Sequence, residues 1–394
     1  MDKRKLWQLP SLRKEGGLDK HRTVTWLELF FDLYFVVVIG SLTHEVSANV
    51  SLIGIRNFII TFIPIWWVWM GATIYSERFE TDGIEIRIFT FLLMIPVAGL
   101  AVFSHNATGE NLEYFFCSYA LARVIIIFLW FRAGYHSKVF RPTAIRYVIG
   151  FSISVVLVIF ALIFNLTISI VLFSLALIID LITPLLTINA QKKLPRFTTS
   201  KLPERFGLFT IIVLGETVVG VIRGISNYHH IGMNIILLGI MGIATTLGFW
   251  WLYFDFIARR PFGRNILAFF YFYTHMPLVI TFALIGAGLN NMITFADHPG
   301  ERAITIYMIC LGIVFILIGL LELTLERSGS EPVHTVLSFG IKFITGITGI
   351  LLGIFGILNS VLIALFTGLI LIIINILYGL YIWYNQKLDN YSSK

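Results

Sequence analysis

Apolar stretches of roughly 20 residues, long enough to cross a ~30 Å hydrocarbon core, recur along almost the whole 394-residue chain. They run over 26–47, 55–75, 84–104, 112–135, 144–164, 168–190, 204–223, 233–257, 265–288, 303–325, 333–356 and 358–384. No backbone N–H or C=O finds water in such a core, so lipid-exposed loops and open strand edges are excluded there. With 57% hydrophobic and 13% charged residues, the chain also lies outside the range of soluble domains. The spacing therefore predicts an all-α polytopic membrane protein with twelve transmembrane helices.

Those spans divide into two sets of six that share landmarks in the same order. Glu28 and Phe30 open span 1 as Glu204 and Phe206 open span 7. Trp66-Trp67 in span 2 is matched by Trp250-Trp251 in span 8, and Met94-Ile95-Pro96 in span 3 by His275-Met276-Pro277 in span 9. A constant spacing then relates Arg132 to Arg327, Asp180 to Asn375, Gln191 to Gln386 and Lys192 to Lys387. The expectation is two parallel six-helix repeats, 26–190 and 204–384, joined by a polar linker at 191–203. A basic tail (1–25) and a short tail (385–394) flank them. Repeats of this kind commonly build their site where they meet, near the membrane midplane.

Charge predicts orientation. If the N-terminus is inside, 24 of the 29 Lys and Arg fall on the cytoplasmic side, as the positive-inside rule requires. Both termini are then cytoplasmic, in the cytoplasmic (inner) membrane. The net charge of +7 reads as a topology signal with some attraction to anionic lipid, so membrane lipids are expected partners and nucleic acid is not. The first 22 residues are basic without an apolar core, unlike a cleavable signal peptide. Leu6, Trp7 and Leu9 suit a tail resting at the lipid surface. Cys117 and Cys310 sit in different spans and offer neither a disulfide framework nor a Cys metal motif.

Two segments carry charges at fixed places in otherwise apolar helices: WLELFFDL at 26–33 and ERFGLFTIIVLGE at 204–216. Both resemble the signature segments of the low temperature requirement protein A (LtrA) family of bacterial membrane proteins, and the resemblance spans essentially the full chain. It implies a polytopic inner-membrane protein of a family named for a growth phenotype in the cold. It brings no reaction, substrate or cofactor. It draws attention to Glu28, Asp32, Glu204, Arg205 and Glu216.

Physical reasoning about these residues goes further. Glu28 and Asp32 are four apart and share a helix face, with Asp32 about 9 Å into span 1. A lone acid at depth costs roughly 2.5–3.5 kcal/mol, so it should face protein, either in an ion pair (with Arg205 or Arg123, for instance) or as a functional group. Glu216 lies ~20 Å along span 7, next to Gly215 and Thr217, with no partner in its own helix. It reads either as a proton-exchanging acid or as a protonated Glu bonded across helices. Asp180 precedes Pro184 by one turn. His275 is the one histidine at central depth, suited to a proton relay or to hydrogen-bonded packing. Arg123 and Lys342, inside spans 4 and 11, are candidate counter-ions.

Other features favour structural readings. Trp66, Trp67, Trp69, Trp250 and Trp251 read as belt or packing residues. Gly346, Gly349, Gly353 and Gly356 make one smooth face for tight helix packing. Glu77, Arg78, Glu80, Asp82, Glu85 and Arg87 read as a solvated charged loop, and His229-His230 as a weak metal hint. No phosphate loop, His-Glu-x-x-His pair or Gly-x-Ser-x-Gly elbow is present, which excludes a single-chain ATP-driven pump. The leading expectation is transport of a small solute or ion coupled to protons, with Asp32, Glu216, Asp180 and His275 handling ion or substrate. Glu28, Glu204, Arg205, Arg123 and Lys342 support them. No catalytic residue, cofactor or metal is assigned. Two other classes stay open: an intramembrane enzyme or lipid-handling protein using the same acids, and a sensor or scaffold whose acids only lock helices.

Overall fold

The computed structural model describes all residues except 1–5, 14–22, 49, 80, 82, 198–200, 259, 265, 297–301, 327–334 and 386–394. Twelve of its helices are long and apolar enough to cross a membrane. They are α1 (Trp26–Ala48), α2 (Leu52–Arg78), α3 (Ile84–Phe103), α4 (Leu112–His136), α5 (Arg141–Ala161) and α6 (Leu166–Leu185), which a four-residue α7 (Ile188–Gln191) extends. Then follow α8 (Lys201–Ser226), α9 (Met233–Tyr253), α10 (Ile266–Thr294), α11 (Ala303–Glu322), α12 (Thr335–Ile354) and α13 (Val361–Tyr384). A single turn of π-helix, Phe254–Ala258, continues α9. Among the described residues the β-structure is one isolated bridge, Phe262 to Leu325.

The helix ends differ from the apolar runs where side chains take over. Pro184 sits in the last turn of α6, and its carbonyl accepts both the Thr187 amide (3.0 Å) and the Thr187 hydroxyl (2.6 Å). The helix breaks there, and α7 carries the span on to Gln191. Conversely α10 continues six residues past the apolar run, through Asn290, Asn291 and Thr294, because the Tyr228 hydroxyl donates to the Ile293 and Thr294 carbonyls at its end.

The chain forms two compact units: residues 1–42 with 56–202, and residues 43–55 with 203–394. In the first, α3 packs on α4, α4 on α5 and α5 on α6. Its aromatic core surrounds Trp130, whose ring lies 5.3 Å from Tyr75, 4.9 Å from Tyr147 and 5.5 Å from Phe140. In the second, α10 packs on α11, α11 on α12, and α13 on α9. Large apolar side chains left outside, such as Ile149, Ile153 and Val156 on α5, suit a lipid environment, where exposed apolar surface is solvated.

One expectation is overturned. The charge run 77–87 is not a solvated loop: Glu77 and Arg78 end α2, Glu85 lies in the first turn of α3, and all three are buried. Residues 6–13 and 191–197 fold over it. Arg13 meets Glu77 at 3.3 Å and donates to the Arg196 carbonyl. Arg78 donates to the Pro195 carbonyl and stacks on Phe197 at 3.7 Å. Glu85 accepts from the Gln8 amide at 3.0 Å, and the Gln8 carbonyl accepts from Arg132. Complementary partners elsewhere in the sequence are what a local reading of the charge run could not supply. Arg87 is exposed; Glu80 and Asp82 lie outside the described residues.

The glycine face on α12 is a packing surface, with one member reassigned. A methyl group at Gly346 would meet Ile316 at 2.6 Å and the Gly312 carbonyl at 2.8 Å; at Gly349 it would meet Gly312 itself. Gly356 instead follows the helix end with φ +59° and open space around it, the left-handed position that closes many helices. Gly346→Val should wedge α11 from α12 and cost roughly 1–3 kcal/mol, read as a lower melting temperature in detergent. Gly340→Ala, on the same helix with nothing nearby, should melt as the unmodified protein does.

Candidate functional site

Polar side chains among these helices sort by unit. In the first, Glu28 completes a capping box at the start of α1. Its carboxylate accepts from the Thr25 amide (3.0 Å) and hydroxyl (2.9 Å), while the Thr25 hydroxyl accepts from the Glu28 amide at 3.3 Å. This Thr-x-x-Glu arrangement satisfies amides that the first helical turn leaves open. Lys201 adds an ion pair at 3.0 Å. Asp32, one turn on and 1% exposed, accepts from the Trp69 indole at 2.8 Å. Asp32 thus points into protein, with the tryptophan of α2 as one partner.

Deeper in the same unit, α4 and α6 are joined by a buried ion pair. Arg123 meets Asp180 at 2.8 Å, both within 1% of full burial, and the Tyr119 hydroxyl donates to the other Asp180 oxygen. The guanidinium lies 4.1 Å over the Phe151 ring. Asp180 is therefore charge-compensated by Arg123 and hydrogen-bonded by Tyr119, and the expected counter-ion role of Arg123 has its acid.

A second such pair sits in the other unit. Lys342 on α12 meets Glu322, the last residue of α11, at 3.1 Å and donates to Ser338 at 2.8 Å. Ser338 donates in turn to Glu322 at 2.7 Å, and the ammonium sits 3.6 Å from the Phe256 ring of the π-turn. Sequence reading missed Glu322, although it falls inside the apolar run 303–325 and an acid there signals a partner. His275 is fully buried. Its Nδ1 lies 2.7 Å from the Tyr271 carbonyl, which can only accept, so Nδ1 carries the proton and Nε2 accepts from the Tyr253 hydroxyl at 3.0 Å. With both nitrogens committed and aromatic rings on either side, its geometry is that of a packing histidine. Glu204 is exposed and Arg205 buried.

Glu216 differs from all of these. It lies within α8, ten residues before the C-terminal end, and is half-buried. Thr43 of α1 and Arg223, two turns on, lie close enough to act on its carboxylate. Its Oε2 is closed off from solvent yet has no hydrogen-bond partner among the described residues. Beside it the Thr217 hydroxyl lies 2.9 Å from that of Thr246 on α9. One turn beyond Thr43 on α1, the Ser47 carbonyl and hydroxyl receive the side-chain amides of Asn291 (3.1 Å) and Asn290 (3.2 Å) of α10. Thr43, Ser47, Asn290 and Asn291 escaped sequence reading; the signal was a Thr/Ser pair at i, i+4 and an Asn pair extending an apolar run.

Twelve membrane-spanning helices carrying buried, mutually paired charges define a multi-pass α-helical membrane protein. Residues 23–377 match the family described as bacterial low temperature requirement A protein (LtrA), and the chain belongs to that family. It is also similar to an uncharacterized protein of Rhizobium meliloti (strain 1021), 27% identical over 303 residues, which covers 70% of this chain and 71% of that one.

Arg123→Leu leaves the Asp180 carboxylate buried without its cation. Folding should lose about 3–5 kcal/mol, read as a collapse of monodisperse yield in detergent. Arg123→Leu combined with Asp180→Leu should recover much of that yield, since an apolar pair of similar volume can replace a buried ion pair.

Proposed function

We propose that this protein transports a small solute or ion across the bacterial cytoplasmic membrane in exchange or symport with protons, and that Glu216 carries the proton. The observation that carries this reading is the Oε2 of Glu216, closed to solvent on a membrane-spanning helix and without a hydrogen-bond partner among the described residues. Buried polar atoms are nearly always satisfied, and those that are not mark functional sites or unseen occupants. Asp180 and Lys342, which are also intramembrane charges, have partners of opposite sign, so they serve as helix locks within their own units. Asp32, facing an indole, is the second candidate for ion handling. His275 supports the packing around it.

The proposal includes two parallel six-helix repeats and cytoplasmic termini, supported by the ordered landmarks and the Lys/Arg bias. Cysteines introduced at Lys138 and Arg260 should then be labelled from the cytoplasmic side, and those at Ala107 and Tyr228 from outside.

Glu216→Gln keeps volume and hydrogen bonding and removes the titratable proton. The variant should fold and reach the membrane, while proton-linked flux in liposomes drops to background. Asp32→Asn should fold, since the Trp69 indole still finds an oxygen acceptor, and should slow flux. Unchanged flux in Glu216→Gln would remove it as the coupling residue. Loss of folding in both variants would favour the scaffold reading.

A further inference from the structure

We propose that the strap of residues 6–13 and the basic rim around it form a docking surface for anionic phospholipid at one end of the first unit. This surface does not depend on transport and is tested by lipid contact alone.

The main chain of the strap faces the protein. The Ile84 amide, first in α3, donates to the Leu6 carbonyl at 2.9 Å, and the Arg13 amide donates to the Arg78 carbonyl at 3.1 Å. Between them the Gln8 amide donates to Glu85 at 3.0 Å, and the Gln8 carbonyl accepts from Arg132 near the end of α4. A segment pinned along its backbone in this way cannot turn its side chains inward. Leu6, Trp7 and Leu9 therefore stand outside, at 80%, 49% and 57% exposure, against the start of one membrane span and the end of another.

An aromatic seat joins the strap to those spans. The Trp7 ring lies 6.1 Å from Phe89 of α3, and Phe89 lies 5.6 Å from Phe128 of α4. The Arg132 guanidinium is 5.5 Å from the Trp7 ring centre and 5.6 Å from that of Phe89. Ile88, Phe91 and Phe131, exposed on the same two helices, carry the apolar surface on from the strap. Indole rings favour the boundary between hydrocarbon and water, where one edge is dry and the other wet. An outward Leu-Trp-Leu group continuous with lipid-facing side chains is a surface that a membrane interface covers.

Charge selects the headgroup. Among the described residues at this end the exposed charges are basic: Arg87 on α3, Lys138 before α5, Arg141 and Arg146 in its first two turns, and Lys192 and Lys193 after α7. The acids described there, Glu28, Glu77 and Glu85, are buried. Each is already held, by Lys201, Arg13 and the Gln8 amide in turn. The sequence adds Lys3, Arg4 and Lys5 directly before Leu6. Lys and Arg close to an anionic leaflet each add attraction, which fades within a Debye length. The apolar side chains set the depth of contact, and the basic rim favours a headgroup of net negative charge over a zwitterionic one.

The test reads which lipid lies against the strap. Leu9→Cys carries a fluorophore in the full-length protein with Cys117→Ala, the buried Cys310 being left in place. The labelled protein is reconstituted in phosphatidylcholine vesicles containing equal mole fractions of either brominated phosphatidylglycerol or brominated phosphatidylcholine. Brominated phosphatidylglycerol should quench at least about threefold more strongly, and the excess should shrink at high salt. Arg87→Gln combined with Lys138→Gln touches none of the strap's hydrogen bonds and should also reduce the excess. Leu6→Cys, labelled in the same way, should report the same preference and guards against a local effect of the fluorophore. Equal quenching by the two lipids from both positions overturns the anionic surface. Absence of quenching by either lipid overturns lipid contact by the strap altogether.

Discussion

Every polar group that enters hydrocarbon must find its partner within the protein, and the rest of this structure follows from that requirement. It restricts the spans to helices, whose backbone groups pair internally. It then governs the side chains: Arg123 faces Asp180, Lys342 faces Glu322, and Asp32 faces the Trp69 indole. Such pairs add little net stability, because desolvating two charges offsets most of their attraction. What they do is penalise misalignment. Rotating α4 or α12 away from its neighbour would strand a full charge, so each pair selects one helix face out of several apolar ones of similar energy.

Close packing does the remaining work, because lipid gives apolar side chains little reason to leave it. The first unit relies on aromatic rings gathered around Trp130, which offer large contact area with few rotatable bonds. The second has its own ring cluster around Phe206, Tyr271 and His275 and adds backbone-close glycines, Gly312 and Gly349 between α11 and α12, Gly220 and Gly286 between α8 and α10. The glycine contacts at Gly220 and Gly286 bring the backbones of α8 and α10 together one turn from Glu216.

Helix identity and number were legible in the sequence because each run of about 20 apolar residues has one stable fate in a bilayer. The ends were less so. The break after Leu185, within a span that runs on to Gln191, depends on Thr187 capping the Pro184 carbonyl, and the extension of α10 on Tyr228 reaching Thr294; both are contacts of particular side chains. Single buried charges could be found but not paired, since Arg123 and Asp180 are 57 residues apart and periodicity carries no information at that range. Glu28 illustrates the reverse: Thr25-x-x-Glu28 is a local capping signature, readable without any distant partner. The Thr43–Ser47–Asn291 strip was hidden in plain residue types, as hydroxyls and amides in spans are common and gain meaning only from the partners they meet.

The fold of residues 6–13 onto the end of α2 also has a consequence for biogenesis. Arg13 is bound to the carbonyl of Arg196, 183 residues later in the chain. At a synthesis rate of ~5–20 residues per second, that partner emerges roughly 9–37 s after its mate. Throughout that interval six helices must enter the bilayer while Arg13, Glu77 and Arg78 stand in water without the 195–197 segment that later covers them. The first unit is thus sealed by its final residues, and its N-terminal strap records that the preceding helices have all been delivered.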